Sequence, residues 1–226
     1  MAPTYLRRRP GSQSIGFLGS ALFMSSISHS SPVGGIDEAK AALRAQALAK
    51  RRALPADMRA AFARRLALEG VTLAKRLEAQ VVSVFLPIGD EPDTLALLSA
   101  LRDAGVTTAL PVTVGRRSPL IFRRWSPGEP TQAGPMKISE PLSSADTVAP
   151  DLLFTPLSVF DRLGNRIGYG MGHYDRSLAT LRANGRAIAV GVAYSASEAP
   201  NVPAGAHDQR LDFVLTEREL IETRAL

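Results

Sequence analysis

From residue 36 onward, two kinds of hydrophobic pattern alternate along this chain. Segments with apolar residues three and four apart read as amphipathic helices, and short β-branched runs between turn residues read as buried strands. The first helix is expected over 38–54, with Asp37 as its N-cap and Pro55 ending it. Leu43, Ala47, Leu48 and Leu54 give it a narrow apolar face. Residues 56–80 continue as one or two helices, with Phe62, Leu66, Leu73 and Leu77 among the core positions and Gly70 as the place where they break. Val81-Val82-Ser83-Val84-Phe85-Leu86 reads as a strand bounded by Pro87. A helix over 95–104 stops at Gly105. Strands follow at 107–114 and 120–125, with Trp125 as a packing residue. The Pro-, Gly- and Ser-rich stretch 126–144 reads as loop, and 151–160 as one buried strand. The remainder reads as a helix over 177–183, strands at 187–193 and 211–216, and a terminal helix from Glu217.

This alternation predicts an α/β fold: a single three-layer-like domain over 36–226, with a parallel or mixed sheet flanked by helices. Residues 1–35 have a different character. Arg7-Arg8-Arg9 precede a short apolar stretch, a Ser-rich run and Pro32-Val33-Gly34-Gly35. The order mimics a secretory signal, but the apolar part is interrupted and no small-residue cleavage site follows. The segment is expected to be a disordered tail or a misassigned start, with Met24 as the true one.

Charge changes this picture little. The net charge is +6, and Arg7, Arg8 and Arg9 supply half of it. Only 6% of residues are aromatic, which argues against a nucleic-acid platform. An acidic small molecule suits the remaining charge. With no cysteine there is no disulfide framework or thiolate chemistry. The three histidines lie far apart in the chain, which argues against a His-based metal site.

Candidate chemistry concentrates in Gly164-Asn165-Arg166-Ile167-Gly168-Tyr169-Gly170-Met171-Gly172-His173-Tyr174-Asp175-Arg176. Its four glycines let backbone N–H groups approach an anion closely, and a helix starting near His173 or Tyr174 would aim its free N–H groups at the same place. The residues alone also allow a Gly-rich surface turn. Lys40 and Arg44 share one face of the first helix and Arg51 extends it, either as a solvated stripe or as a phosphate clamp. The loop Pro87-Ile88-Gly89-Asp90-Glu91-Pro92-Asp93-Thr94 follows a strand, where α/β sheets bind ligands. Its carboxylates read equally well as turn and cap chemistry.

Taken in order, these segments resemble the 5-formyltetrahydrofolate cyclo-ligase family, also called 5,10-methenyltetrahydrofolate synthetases. The resemblance rests on Lys40/Arg44, Glu91-Pro92-Asp93-Thr94, Ile138-Ser139-Glu140-Pro141, and Pro156-Leu157-Ser158-Val159-Phe160-Asp161 running into 164–176. His207-Asp208 and Leu211-Asp212-Phe213-Val214-Leu215-Thr216 complete it. It covers about 36–217. Met171 stands where the family usually has Gly, and His173 where it has Tyr or Phe. A side chain at 171 implies either that this position does not need a positive φ or that it points away from the phosphates, and His173 reads as a ring-for-ring replacement, with a new proton-transfer role as the alternative.

The resemblance implies a cytoplasmic, monomeric enzyme that uses ATP and Mg²⁺ to convert 5-formyltetrahydrofolate to 5,10-methenyltetrahydrofolate, with no nucleic-acid or membrane partner. It implies Lys40 and Arg166 as catalytic residues. Lys40, Arg44, Arg166, Ile167, Gly168, Tyr169, Gly170, Met171, Gly172, His173 and Tyr174 would hold ATP. Ile88, Glu91, Asp93 and Tyr169 would hold the folate, and Asp175 and Asp208 the metal. A non-catalytic folate- or nucleotide-binding protein, or another phosphoryl-transfer enzyme with a similar loop, are the alternatives.

Overall fold

Five adjacent parallel strands form the centre of the protein, and the apolar runs of the sequence supply them. The computed structural model describes residues 35–135, 138–185 and 187–223, so the expected N-terminal tail lies, except for Gly35, outside the described residues. In chain order, α1 (Gly35–Arg52) and α2 (Ala56–Arg76) precede β1 (Val81–Ser83), α3 (Leu95–Asp103), β2 (Thr107–Val112) and β3 (Ile121–Arg124). Next come β4 (Thr131–Ala133), β5 (Ser139–Pro141), β6 (Thr147–Val148), β7 (Leu152–Pro156), β8 (Val159–Phe160) and β9 (Arg166–Ile167). The chain closes with α4 (His173–Asn184), β10 (Ile188–Val192), β11 (Phe213–Leu215) and β12 (Leu220–Glu222).

The main sheet has the order β12-β11-β10-β7-β1-β2-β3-β6. Pairing is parallel from β11 through β2 and antiparallel at both margins, so the sheet is mixed. Alternate residues of each strand feed opposite faces, as strand geometry requires. Leu110, Leu152, Phe154, Val190 and Phe213 pack with Phe62, Leu66 and Leu73 of α2 and Leu97, Leu98 and Leu101 of α3. Their neighbours Ala109, Leu153, Ala189 and Val214 pack with Leu178 of α4. These are the three layers that the pattern predicted.

Several boundaries differ from expectation. α1 begins at Gly35, so Asp37 lies in its first turn rather than at its cap. Gly70 does not break α2. A Cβ there would sit 2.5 Å from Leu97 Cδ1, so this glycine lets α2 and α3 approach closely. The stretch 126–144 holds a small antiparallel pair, β4 with β5. The apolar run 151–160 is two strands: β7 joins the main sheet, whereas β8 pairs with β9 in a hairpin of its own. Among the described residues no terminal helix follows Glu217. Thr216 Oγ1 accepts the N–H groups of Arg218 (3.2 Å) and Glu219 (3.1 Å), turning the chain back so that β12 lies antiparallel to β11 and buries Ile221.

The β8–β9 hairpin matters for function because it seats α1. Ala47 and the partly buried Leu43 pack on Val159 and Ile167. The narrow apolar face of α1 therefore brings its cationic face alongside the glycine loop that follows β9.

Candidate active site

The glycine loop joins β9 to α4, and its conformation explains its composition. Gly170 has φ of 94° and Gly172 has φ of 64°, the latter as the left-handed N-cap of α4. Both positions favour glycine. Met171 is not among the described residues with positive φ, which fits the tolerance of a side chain there. Upstream, the buried carboxylate of Asp161 accepts N–H groups from Leu163 (3.0 Å), Asn165 (2.9 Å) and Val202 (3.0 Å), fixing the entry to the loop. At the exit, Arg176 donates to the Met171 carbonyl. The loop is therefore held at both ends, with the N-terminus of α4 free to meet an anion.

A cavity of about 890 Å³ opens over this loop. Pro156, Pro111 and the Phe85-Leu86 pair line its floor, at or just beyond the carboxyl ends of β7, β2 and β1. That is where parallel α/β sheets place ligands. Lys40, Arg44, Ile88, Glu91, Asp175, Asp208 and every residue from Arg166 to Tyr174 reach the same cavity. Asp93 is the one sequence-derived site residue that the structure does not bring to it. Its carboxylate is exposed and accepts the Leu95 N–H at 2.9 Å, at the start of α3.

The cations are held in place by different means. Lys40 Nζ donates to Asp208 Oδ2 at 2.5 Å, and Arg44 Nε donates to the Gly168 carbonyl at 2.7 Å. Arg166, which is buried, donates to Asp175 Oδ1 at 2.8 Å. The same Asp175 oxygen accepts the Gln209 N–H at 3.1 Å. Burial would raise the Asp208 carboxyl, but the hydrogen bonds from Lys40 and the Gly205 N–H outweigh it and hold the group below its ordinary range.

Glu91 is different. It is buried, its Oε2 accepts the Ile88 N–H at 2.8 Å, and its Oε1 has no hydrogen-bond partner. Burial pushes its carboxyl above the ordinary range, against the pull of the Ile88 N–H, Tyr169 and Arg51. An unpaired buried carboxylate oxygen facing a cavity is costly in the free protein and suits a ligand with N–H donors. Burial, then the Glu91 charge, likewise raise the Tyr174 phenol, so Tyr174 stays protonated. His173 Nδ1 donates to the Ser118 carbonyl at 2.9 Å, tying the first turn of α4 to the turn between β2 and β3.

Three charged lining residues escaped the sequence reading as site residues: Asp37, Glu140 and Arg116. Glu140 is buried and accepts the Thr113 N–H at 2.9 Å. Its segment, Ile138-Ser139-Glu140-Pro141, carries the family resemblance and was the available signal. Arg116 sits in a polar turn with no pattern to mark it.

For a metal, the candidate carboxylates Asp175 and Asp208 each already face a cation. Among the described residues no group of three or more His, Cys, Asp or Glu side chains gathers as a metal cage. This donor set fits only an ion that takes most of its ligands from phosphate and water, as Mg²⁺ does. No described helix is long and apolar enough to cross a membrane.

Fold and cavity together define an α/β protein of the kind that holds its ligand beyond the carboxyl ends of parallel strands. Residues 36–217 match the 5-formyltetrahydrofolate cyclo-ligase family, and the chain belongs to it. It is 32% identical over 186 residues to the 5-formyltetrahydrofolate cyclo-ligase of Mycolicibacterium smegmatis, covering 79% of this chain and 94% of that one. The Escherichia coli cyclo-ligase is 31% identical over 181 residues, covering 76% of this chain and 97% of its own. The solved structure of Aquifex aeolicus 5,10-methenyltetrahydrofolate synthetase superposes with a TM-score of 0.66 at 29% identity, covering 82% of this chain and 93% of that chain.

Proposed function

We propose that this protein converts 5-formyltetrahydrofolate to 5,10-methenyltetrahydrofolate at the expense of ATP, releasing ADP and phosphate. The observation that carries this reading is the meeting, in one cavity, of an anion-ready glycine loop ringed by Lys40, Arg44 and Arg166 with the buried, half-unpaired carboxylate of Glu91. The first suits a nucleotide triphosphate. The second suits the N–H edge of a pterin ring.

The chemistry needs both at once. The formyl oxygen of an amide-like group is a poor leaving group, and transfer of the γ-phosphoryl onto it makes it a good one. N10 of the folate then attacks the formyl carbon, loses its proton, and phosphate departs with the original oxygen. The loop N–H groups between Gly168 and Tyr174, with Lys40 and Arg166, would orient the triphosphate and balance charge spreading over the transferred group. Arg44 fixes the loop through the Gly168 carbonyl. Ile88, Glu91 and Tyr169 would hold the folate so that the formyl oxygen faces the phosphates. Mg²⁺, taken by Asp175 and Asp208 with phosphate and water oxygens, would neutralise phosphate charge. The same reading takes 36–226 as the catalytic domain, acting as a cytoplasmic monomer.

The test is direct. Purified protein mixed with 5-formyltetrahydrofolate, ATP and Mg²⁺ should develop methenyltetrahydrofolate absorbance, with one ADP and one phosphate per product. Absence of product at saturating substrates would refute the reading; tight binding without turnover would favour a non-catalytic binding protein.

A further inference from the structure

Among the cations of α1 that the phosphate site leaves unused, Arg51 is the buried one. It lies eleven residues after Lys40, so it falls on nearly the same helix face about 16 Å further along the axis. The residue is 5% exposed and is not among those lining the cavity. Nη2 donates to the Tyr169 hydroxyl at 3.0 Å and Nη1 to the Leu157 carbonyl at 3.5 Å, while Nε has no acceptor. Arg59 holds the end of α1 at this point by donating to the Arg51 carbonyl at 2.9 Å.

A buried guanidinium with no carboxylate in direct contact is an unfavourable choice for stability, and an apolar residue of similar volume would serve the core better. Glu91 feels this charge: burial raises its carboxyl, and Arg51 is among the groups that draw it back down. Tyr169 and Glu91 do line the cavity. Tyr169 itself is 42% exposed, in a glycine-flanked loop, so its ring depends on that hydroxyl contact for a fixed direction.

We propose that Arg51 is a positioning residue for the folate side of the site: by fixing the Tyr169 hydroxyl it holds that ring on the cavity wall that Glu91 also lines, where an N–H-rich heterocycle such as the pterin ring of the substrate would meet both. This rests on the folate and ATP reading above. One rigid helix then sets both halves of the site, with Lys40 and Arg44 at the phosphates and Arg51 behind the ring pocket.

The test compares Arg51→Met, Tyr169→Phe and the double variant, with KM measured separately for 5-formyltetrahydrofolate and for ATP. Each single change should raise the folate KM about tenfold, as loss of a hydrogen bond to a charged group does, and leave the ATP KM within about twofold. The double variant should be no worse than either single, because both cut the same connection. An equal rise in the ATP KM, or losses that add in the double variant, would overturn the proposal. Should Arg51→Met not fold, Tyr169→Phe alone decides: equilibrium binding of 5-formyltetrahydrofolate without ATP should weaken, and unchanged binding overturns it. Wild-type turnover runs alongside. If the wild type makes no product, the proposed function fails; if it does and the variants show no KM split, only the role of Arg51 fails.

Discussion

Arg166 and Asp175, at opposite ends of the glycine loop, meet at 2.8 Å and close it like a clasp. The Arg166 side chain is only 5% exposed, so its guanidinium depends on this partner. Asp175→Asn should therefore disturb two things. Loss of the partner should destabilise the fold by about 1–3 kcal/mol, less than for a wholly buried pair because Asp175 keeps solvent contact. The freed Arg166 should also raise the KM for ATP. Thermal unfolding and ATP kinetics check these separately, and a Mg²⁺ titration adds a third reading. If the half-saturating Mg²⁺ concentration is unchanged in Asp175→Asn, Asp175 serves the clasp and not the metal.

The Lys40–Asp208 pair behaves differently, because both side chains keep solvent contact, at 17% and 30% exposure. Such a pair adds at most about 1 kcal/mol of stability. Lys40→Ala should lower kcat/KM for ATP on the order of 100-fold if its charge meets the transferred phosphoryl, with little change in melting temperature. The Asp208 carboxyl is held below its ordinary range, so the pair is intact at neutral pH. Its contribution to stability is present above the unfolded-state value and lost as pH falls through the lowered one. Activity near wild type in Lys40→Ala would remove it from the catalytic assignment.

How far the sequence foretold this depended on whether a residue's role was local. The helix over 95–104 and the buried strands at β7 and β10 follow from periodicity, Gly105 and short apolar runs, whereas α4 begins at His173, four residues before the 177–183 that the pattern marks. Gly70 was misread because its reason is Leu97, a residue on another helix. The end of the chain was misread because a helix-compatible pattern lost to a turn built on Thr216 and to burial of Ile221 beside β11. In the site, the loop and the Lys40/Arg44 face were legible because spacing alone puts them together. That Arg51 turns inward to Tyr169 depends on tertiary placement that no spacing encodes, whereas the bond of Asp93 to the Leu95 N–H is local and is the cap chemistry that the sequence left open beside a binding role.

His173, which the sequence reads as a ring-for-ring replacement, spends its Nδ1 on the Ser118 carbonyl. With Ser177 Oγ accepting the Leu120 N–H at 2.8 Å, this ties α4 to the β2–β3 turn at two points. His173→Phe should keep the ring and lose the tie, reducing kcat/KM by about fivefold, the worth of one ordinary hydrogen bond. A general acid or base would instead cost about 100-fold or more in kcat and remove a limb from its pH profile. Measuring kcat against pH in both forms separates the two roles.

Glu91 sets function against stability. Its folded carboxyl is raised by burial above its unfolded value, so protonation favours the folded protein. The stability linked to the proton is fully present below the unfolded pKa and is lost as pH rises through the folded one. The ionised form therefore carries a buried Oε1 without a partner, a cost that a folate ring would relieve. Glu91→Gln keeps an oxygen for the Ile88 N–H and removes the charge, so the melting temperature at neutral pH should hold or rise. Folate binding should weaken by about 10- to 100-fold, the range for losing a charged hydrogen-bond acceptor. In the wild type, kcat/KM for 5-formyltetrahydrofolate should fall on the acid side at a pH above the ordinary glutamate range, and Glu91→Gln should lack that limb. A lower melting temperature together with unchanged folate affinity would mean that Glu91 supports the loop and does not meet the substrate.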